Sequence, residues 1–285
     1  MRARTAIIGA AHAASRLRGL AMTTRGIGIL PILCGLILIG GWLPARLSAQ
    51  TITSITNAAS GLAGGVSPGE IVVIYGTSLG PATLLSAPIA AGATLPVSLG
   101  GVRVSFSGIA APIVYASASQ TAVQVPYELA GSGSAAVLVT SGNGTSPAFN
   151  VPVVLSAPGL FTGNYSGAGQ VAALNVGGAN SAQNPVPAGS SVLLFATGEG
   201  LTFPAGVDGL IQTVTTIRQP TQPISVLIAG TQAQVLFSGS VPGDLPGIVE
   251  IGVVVPPNLP ANAATPVMLT IGGLTTTRIT TLAVQ

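Results

Sequence analysis

Two tandem β-sandwiches in an all-β chain are what this sequence predicts, and three observations carry the prediction. Residues 66–80 (VSPGEIVVIYGTSLG) are echoed 120 residues later by 186–200 (VPAGSSVLLFATGEG). Each copy reads as a Pro/Gly-marked turn, a buried apolar strand and a glycine-punctuated turn. Short apolar or alternating runs recur at roughly ten-residue spacing between Gly, Pro and Asn turns, the signature of a sandwich of immunoglobulin type. No window holds a 3.6-residue apolar period long enough for a helix.

The elements follow in order. Residues 51–65 are small and polar, a first strand and its loop. A buried strand over 71–75 precedes a loop rich in Ala, Pro and Gly at 81–96. VRVSF at 102–106 alternates, turns at Ser107–Gly108 and returns through 113–115, which predicts a hairpin. Strands at 123–125 (stopped by Pro126), 136–140 and 149–155 complete the first unit. The second repeats it: ISVLIAGTQAQVLF at 224 aligns with VRVSFSGIAAPIVY at 102, an offset of 122, and VVPPNLPANAATPVMLTIG at 254 aligns with QVPYELAGSGSAAVLVTSG at 124, an offset of 130. Offsets that grow only in loops, here at SVPGDLPG around Val241, are what duplicated domains produce. Between the units, residues 156–183 predict a connection and a hairpin that pack across both.

The chain has 285 residues with 39 Gly, 22 Pro, 48% hydrophobic and only 5% charged residues. A disordered chain would be charged and poor in Val, Ile and Leu, so this composition predicts packed cores. Six of the nine basic residues precede residue 50. Beyond it, Arg103, Arg218 and Arg278 face Glu70, Glu128, Glu199, Asp208, Asp244 and Glu250, a net charge of −3 with no Lys. That balance argues against nucleic acid, which needs a dense basic face. Cys34, His12 and Trp42, each the sole residue of its kind, also lie before residue 50, so burial and not disulfides must hold the body together.

Residues 26–43 are almost continuously apolar, preceded by Arg25 and followed by PARLSAQ, the layout of a secretory signal. From Met1 it would span 49 residues, but from Met22 it spans 28, within the usual ~15–30. The expected organisation is therefore a signal segment at 1–49 with its start at Met22, a first immunoglobulin-like sandwich at 50–157, and a linker hairpin plus second sandwich at 158–285. An uncleaved anchor is the alternative, and membrane contact is expected only through that leader.

The carrying stretches NAAS at Asn57, VSPGEIVVIYGTSLGP at Val66, LGGVRVSFSGIAAPIVYAS at Leu99, QVPYE at Gln124, APGLF at Ala157, GQVAALN at Gly169 and LLFATGEG at Leu193 resemble the Solibacter-type uncharacterised C-terminal domain of secreted bacterial proteins. The likeness covers essentially the whole body, and its GxxLG-like turns also resemble IPT/TIG immunoglobulin-like repeats. The resemblance implies a secreted β-sandwich module without established activity. Members commonly close longer exported chains, whereas this module is expected to act alone or by association. The pattern departs at Ala122 and Gly252, where Asn is expected.

Chemistry is restricted by what the body lacks. Without His, Cys or Lys there is no base for a Ser or Cys nucleophile, no usual zinc ligand set and no Schiff-base amine. Paired carboxylates of the glycosidase kind remain, from Glu70, Glu128, Glu199 and Glu250. Their duplicated positions are not acidic (Glu70 aligns with Ser190, Glu128 with Asn258), which favours solvated charges at strand ends. Asp208 and Asp244 read as turn residues, not calcium ligands. Tyr75 and Tyr115 align with Phe195 and Phe237 and read as core. No catalytic residue, metal or cofactor is expected. A ligand contact is expected at Gln124, Tyr127 and Glu128, where Tyr127 follows Pro126 at a strand end.

The function expected is a non-catalytic module, secreted or at the cell surface, that binds protein or glycan. A structural component that self-associates through sheet edges is second, with Arg103, Glu128, Glu199 and Arg278 as gatekeepers; a carboxylate glycosidase is a distant third. N-terminal sequencing of exported protein is expected to begin at Gln50, and residues upstream of Met22 would overturn the internal start.

Overall fold

The computed structural model describes residues 49–285, so the expected signal segment and its Met22 start lie outside the described residues. The first unit runs through β1 (Thr51–Asn57), β2 (Ile71–Thr77), β3 (Leu85–Ser86), β4 (Arg103–Phe106), β5 (Ile109–Ala110), β6 (Ile113–Ala116), β7 (Gln120–Gln124), β8 (Ser134–Ser141), β9 (Gly144–Thr145) and β10 (Phe149–Pro152). One sheet has the order β1-β2-β7-β6-β3 and the other β10-β8-β4-β5, with β9 on β8. The hairpin expected after Phe106 forms because Ser107 and Gly108 both take positive φ, 50° and 87°. Two such residues make the primed turn whose twist matches antiparallel strands.

The second unit comprises β11 (Gly159–Leu160), β12 (Gly169–Gln170), β13 (Ala173–Asn175), β14 (Gly178–Ala179), β15 (Ser191–Thr197), β16 (Thr202–Phe203), β17 (Gln219–Pro220), β18 (Ile224–Ile228), β19 (Thr231–Ser240), β20 (Val249–Val254), β21 (Asn262–Ile271), β22 (Leu274–Thr275) and β23 (Thr280–Val284). Its main path is β12-β23-β21-β18-β19-β20-β15-β13-β14. The pairing repeats the first unit: β13-β15-β20-β19 matches β1-β2-β7-β6, and β23-β21-β18-β19 matches β10-β8-β4-β5. The same primed turn recurs at Ala229 and Gly230, with φ of 53° and 74°. The protein is thus all-β, two immunoglobulin-like sandwiches in tandem.

One difference between the copies is instructive. In the first, the strand that changes sheets is cut at Pro112 into β5 and β6, since proline cannot donate to a ladder. In the second, Gln234 stands at the matching position and β19 continues. Its first half pairs β18 and its second half pairs β20, with a register shift between Val235 and Phe237. The first copy has the same shift between Ile113 and Tyr115, so the cover decides. Tyr115 is 1% exposed because the second unit packs on it in a shared core, whereas Phe237 lies against Gly252 and is 47% exposed, and the expectation that it is core is corrected.

Three apolar cores result. Val72, Ile74, Val104, Phe106, Val123 and Val137 belong to the first sandwich, and Val192, Leu194, Val226, Ile251 and Leu269 to the second. The third is shared: Ile71, Val73, Tyr115 and Ala122 from the first unit meet Phe161, Phe195, Ile211, Leu245 and Ile248 from the second. Successive residues of β2 point to opposite faces, so Val72 and Ile74 enter the private core while Ile71 and Val73 enter the shared one. The expected packing of 156–183 across both units holds, since Phe161 and Ala172 lie in that shared core.

Backbone meets backbone where the units touch. A Cβ at Gly247, whose φ is +88°, would stand 2.1 Å from the Gly69 carbonyl oxygen. Gly247→Ala is expected to cost about 3 kcal/mol or more through combined strain and overpacking. Gly230→Ala, in open space at φ +74°, is expected to cost only about 1 kcal/mol. Thermal or denaturant unfolding of the two variants checks the contrast.

Candidate functional site

The turns that bracket β2 and β15 converge on one buried polar seam. Asn57, at the end of β1, is its hub. Its Nδ2 donates to Glu70 Oε1 and to the Ala157 carbonyl, both at 2.9 Å. Its Oδ1 accepts the backbone N–H groups of Ala59 and Ser60 at 2.9 and 2.8 Å. Glu70, one residue before β2, accepts the Ser67 N–H on Oε2 at 2.7 Å, closing the SPGE turn. Thr197, at the end of β15, ties the units: its Oγ1 accepts the Ile71 N–H at 3.0 Å and donates to the Gly247 carbonyl at 2.6 Å.

Glu70 and Glu199 are 1% and 4% exposed, which corrects the expectation of solvated charges at strand ends. Burial pushes the Glu70 carboxyl up to about 8, opposed by donors from Ser67 and Asn57 and reinforced by the Glu199 charge. Burial pushes Glu199 up to about 7, opposed by its own and the Gly198 backbone N–H. Glu199 Oε2 has no hydrogen-bond partner. The pair lies in none of the surface pockets described below, and Glu199, being buried, cannot guard a sheet edge. Arg278 is likewise engaged, its Nε donating to the Ser60 carbonyl at 3.2 Å.

The residues expected to contact a ligand sit beside this seam. Gln124 is 0% exposed, and its Oε1 accepts the Gly209 N–H across the units at 2.7 Å. The Tyr127 ring fills a slot between two glycines: a Cβ on Gly69 or Gly206 would lie 2.5 or 2.2 Å from ring atoms. Its backbone N–H donates to Asp208 Oδ1 at 3.0 Å, so Asp208 joins the units instead of closing a local turn alone. Burial raises the Tyr127 phenol well above its ordinary range, with the Glu199 and Asp208 charges adding to the effect. Of the three, only Glu128 is exposed.

A surface pocket lies elsewhere, in the connection. Thr162, Tyr165, Gln170, Ala173 and Asn180 are among the residues lining a pocket of about 250 Å³. Tyr165, at φ 65° and 39% exposed, also walls a smaller pocket of about 50 Å³ with Tyr75, Tyr115, Gln120 and Asn57. Amides brace the larger pocket. Gln170 Nε2 donates to Asn180 Oδ1, and Asn180 Nδ2 donates to Asn175 Oδ1 at 3.1 Å and the Ala283 carbonyl at 2.8 Å. No charged side chain lines either pocket. Burial raises the Tyr75 and Tyr115 phenols, so both stay neutral donors. The available signal was compositional: six amides, Asn164, Gln170, Asn175, Asn180, Gln183 and Asn184, fall close to Tyr165 in the connection.

No protein-family model matches the chain, and no curated protein is similar to it. Among solved structures, it is similar to the surface glycan-binding protein PbSGBP-B from Prevotella bryantii, at 13% identity and a TM-score of 0.25, over 80% of this chain and 41% of that one. It is also similar to SGBP-B of the Bacteroides ovatus mixed-linkage glucan utilization locus, in complex with a heptasaccharide. There the identity is 12% and the TM-score 0.34, over 84% of this chain and 48% of that one. Domains 5–6 of the S-layer protein SbsC match at 13% identity and a TM-score of 0.24, over 82% and 98%. The chain spans less than half the length of the two glycan-binding proteins, and scores of this size carry no inference about ligands.

Tyr127→Ala is expected to destabilise the fold by about 3 kcal/mol, as emptying an aromatic slot does. Glu128→Gln, at an exposed position, is expected to stay within about 0.5 kcal/mol of the parent. Chemical denaturation checks both.

Proposed function

We propose that this protein is an exported, non-catalytic binding module that takes a neutral glycan at the Tyr165 pocket. The observation that carries the reading is the lining: the Tyr165 ring and the Gln170 amide beside an apolar wall of Val171, Ala172, Ala173 and Ala179, with no charged side chain. A sugar presents hydroxyls that both donate and accept, and the Tyr165 phenol and the Gln170 amide answer both needs, while Asn180, 5% exposed, is spent on bracing the wall. Its C–H face suits an aromatic ring that is apolar in body and polar at the tip. The volume is below the roughly 300–1,000 Å³ of sites that enclose drug-sized ligands, which suits contact with one ring of a longer chain. Export rests on the leader pattern, and the Solibacter-type family remains a resemblance consistent with a secreted module.

The test is a calorimetric screen of the purified chain against neutral oligosaccharides. Tyr165→Ala and Gln170→Ala are each expected to weaken binding at least tenfold, and Glu128→Gln to leave it unchanged. Absence of saturable binding, with concentration-dependent assembly in light scattering, would replace this reading with the self-associating one.

A further inference from the structure

The buried acids at the seam need an account that a surface pocket does not supply. Glu70 lies at the start of β2 in the first unit, and Glu199 lies two residues beyond β15 in the second. Among the described residues, no cation neutralises them. Of the three arginines in the described body, Arg218 is engaged with Gln212 and the Ala205 carbonyl, Arg278 with Ser60, and Arg103 is exposed. The groups that face the pair are therefore acidic or neutral. The Glu199 charge acts on Glu70, and the Tyr127 phenol feels the charges of Glu199, Asp208 and Arg218. Beyond them Glu128 acts on Asp208.

The two carboxyls are not equivalent. Glu70 receives donors on both oxygens, from Asn57 and Ser67, which suits an ionised carboxylate. Glu199 receives none on Oε2, an orphan that would carry a full desolvation penalty if charged. Two carboxyls in one buried seam with no cation between them cannot both be ionised cheaply, so the proton belongs to the pair and not to either residue alone.

We propose that the seam between the two sandwiches is a proton-operated latch, closed while the buried Glu70 and Glu199 pair holds its proton and loosened when that proton is lost. The sign follows from burial. Both carboxyls are raised above their ordinary value of 4.5, to about 7 and about 8, so the folded chain holds protons that the unfolded chain has released. The seam's stability is therefore greatest below about pH 4.5 to 5 and falls as pH rises through 7 and 8. The apolar shared core keeps the units together, so the expected change is local opening and not separation.

Hydrogen exchange of the chain reads this without any ligand, and so does not depend on the glycan reading. The seam amides of Ile71, Tyr127 and Gly209, which donate across the units, are the reporters. After correction for intrinsic rates, their protection is expected to fall at least tenfold between pH 5.5 and 8.5, while amides of the private cores change little. Glu199→Gln, a neutral replacement of the same shape, is expected to remove most of that pH dependence. Flat seam protection in the parent, or an unchanged pH response in Glu199→Gln, overturns the latch. If that variant fails to fold, carbon NMR of the parent's glutamate carboxyls decides. A resonance that titrates above pH 6 supports the latch, and titration of every carboxyl below pH 5 overturns it.

Discussion

Burial of β2 on both faces is the constraint on which the rest of this structure depends. Ile71, Val72, Val73 and Ile74 are consecutive and all at most 6% exposed. A strand in an open antiparallel sandwich usually shows one face to water, so an unbroken apolar run demands a second cover. The second unit provides it with Phe161, Phe195, Leu245 and Ile248. Every polar group carried into that contact must then be satisfied, and the Asn57, Thr197, Gln124 and Asp208 hydrogen bonds answer that demand.

The short Asn-, Pro- and Gly-marked motifs of the sequence converge on this contact. NAAS supplies the Asn57 hub, SPGE the buried Glu70, APGLF the Ala157 carbonyl and Phe161, and ATGEG supplies Thr197 and Glu199. Glycines serve close approach in the same place. Gly198, at φ +85°, would put a Cβ 1.9 Å from the Ala157 carbonyl oxygen. The short motifs therefore have a structural reason that needs no catalytic role: they specify how two sandwiches lock. Function is then left to surfaces outside the lock, and the Tyr165 pocket in the connection is one such surface.

The all-β class, the duplicated plan, the hairpin at Ser107–Gly108 and the alternating apolar strands were legible along the chain. Each depends on neighbours in sequence, on period-two alternation, or on turn residues that permit positive φ. The burial of Glu70 and Glu199 in one seam was not legible. Comparing repeat with repeat sets Glu70 beside Ser190, yet the start of β2 contacts the end of β15, a non-equivalent position. Each acid therefore looked isolated, and an isolated acid reads as solvated. The packing of Tyr127 was hidden for a related reason: the glycine that faces its ring from the other unit, Gly206, is far away in sequence.

By itself, then, the sequence determined an all-β chain of two repeated sandwiches without disulfides, because alternation, turn chemistry and composition act locally. Tertiary structure alone decided which outer faces are dry. A strand's pattern shows that a face is apolar but not what covers it. Only the docking of one sandwich on the other turned Tyr127 and Gln124 inward, buried two carboxyls away from any cation, and left Tyr165 and its amides on the surface.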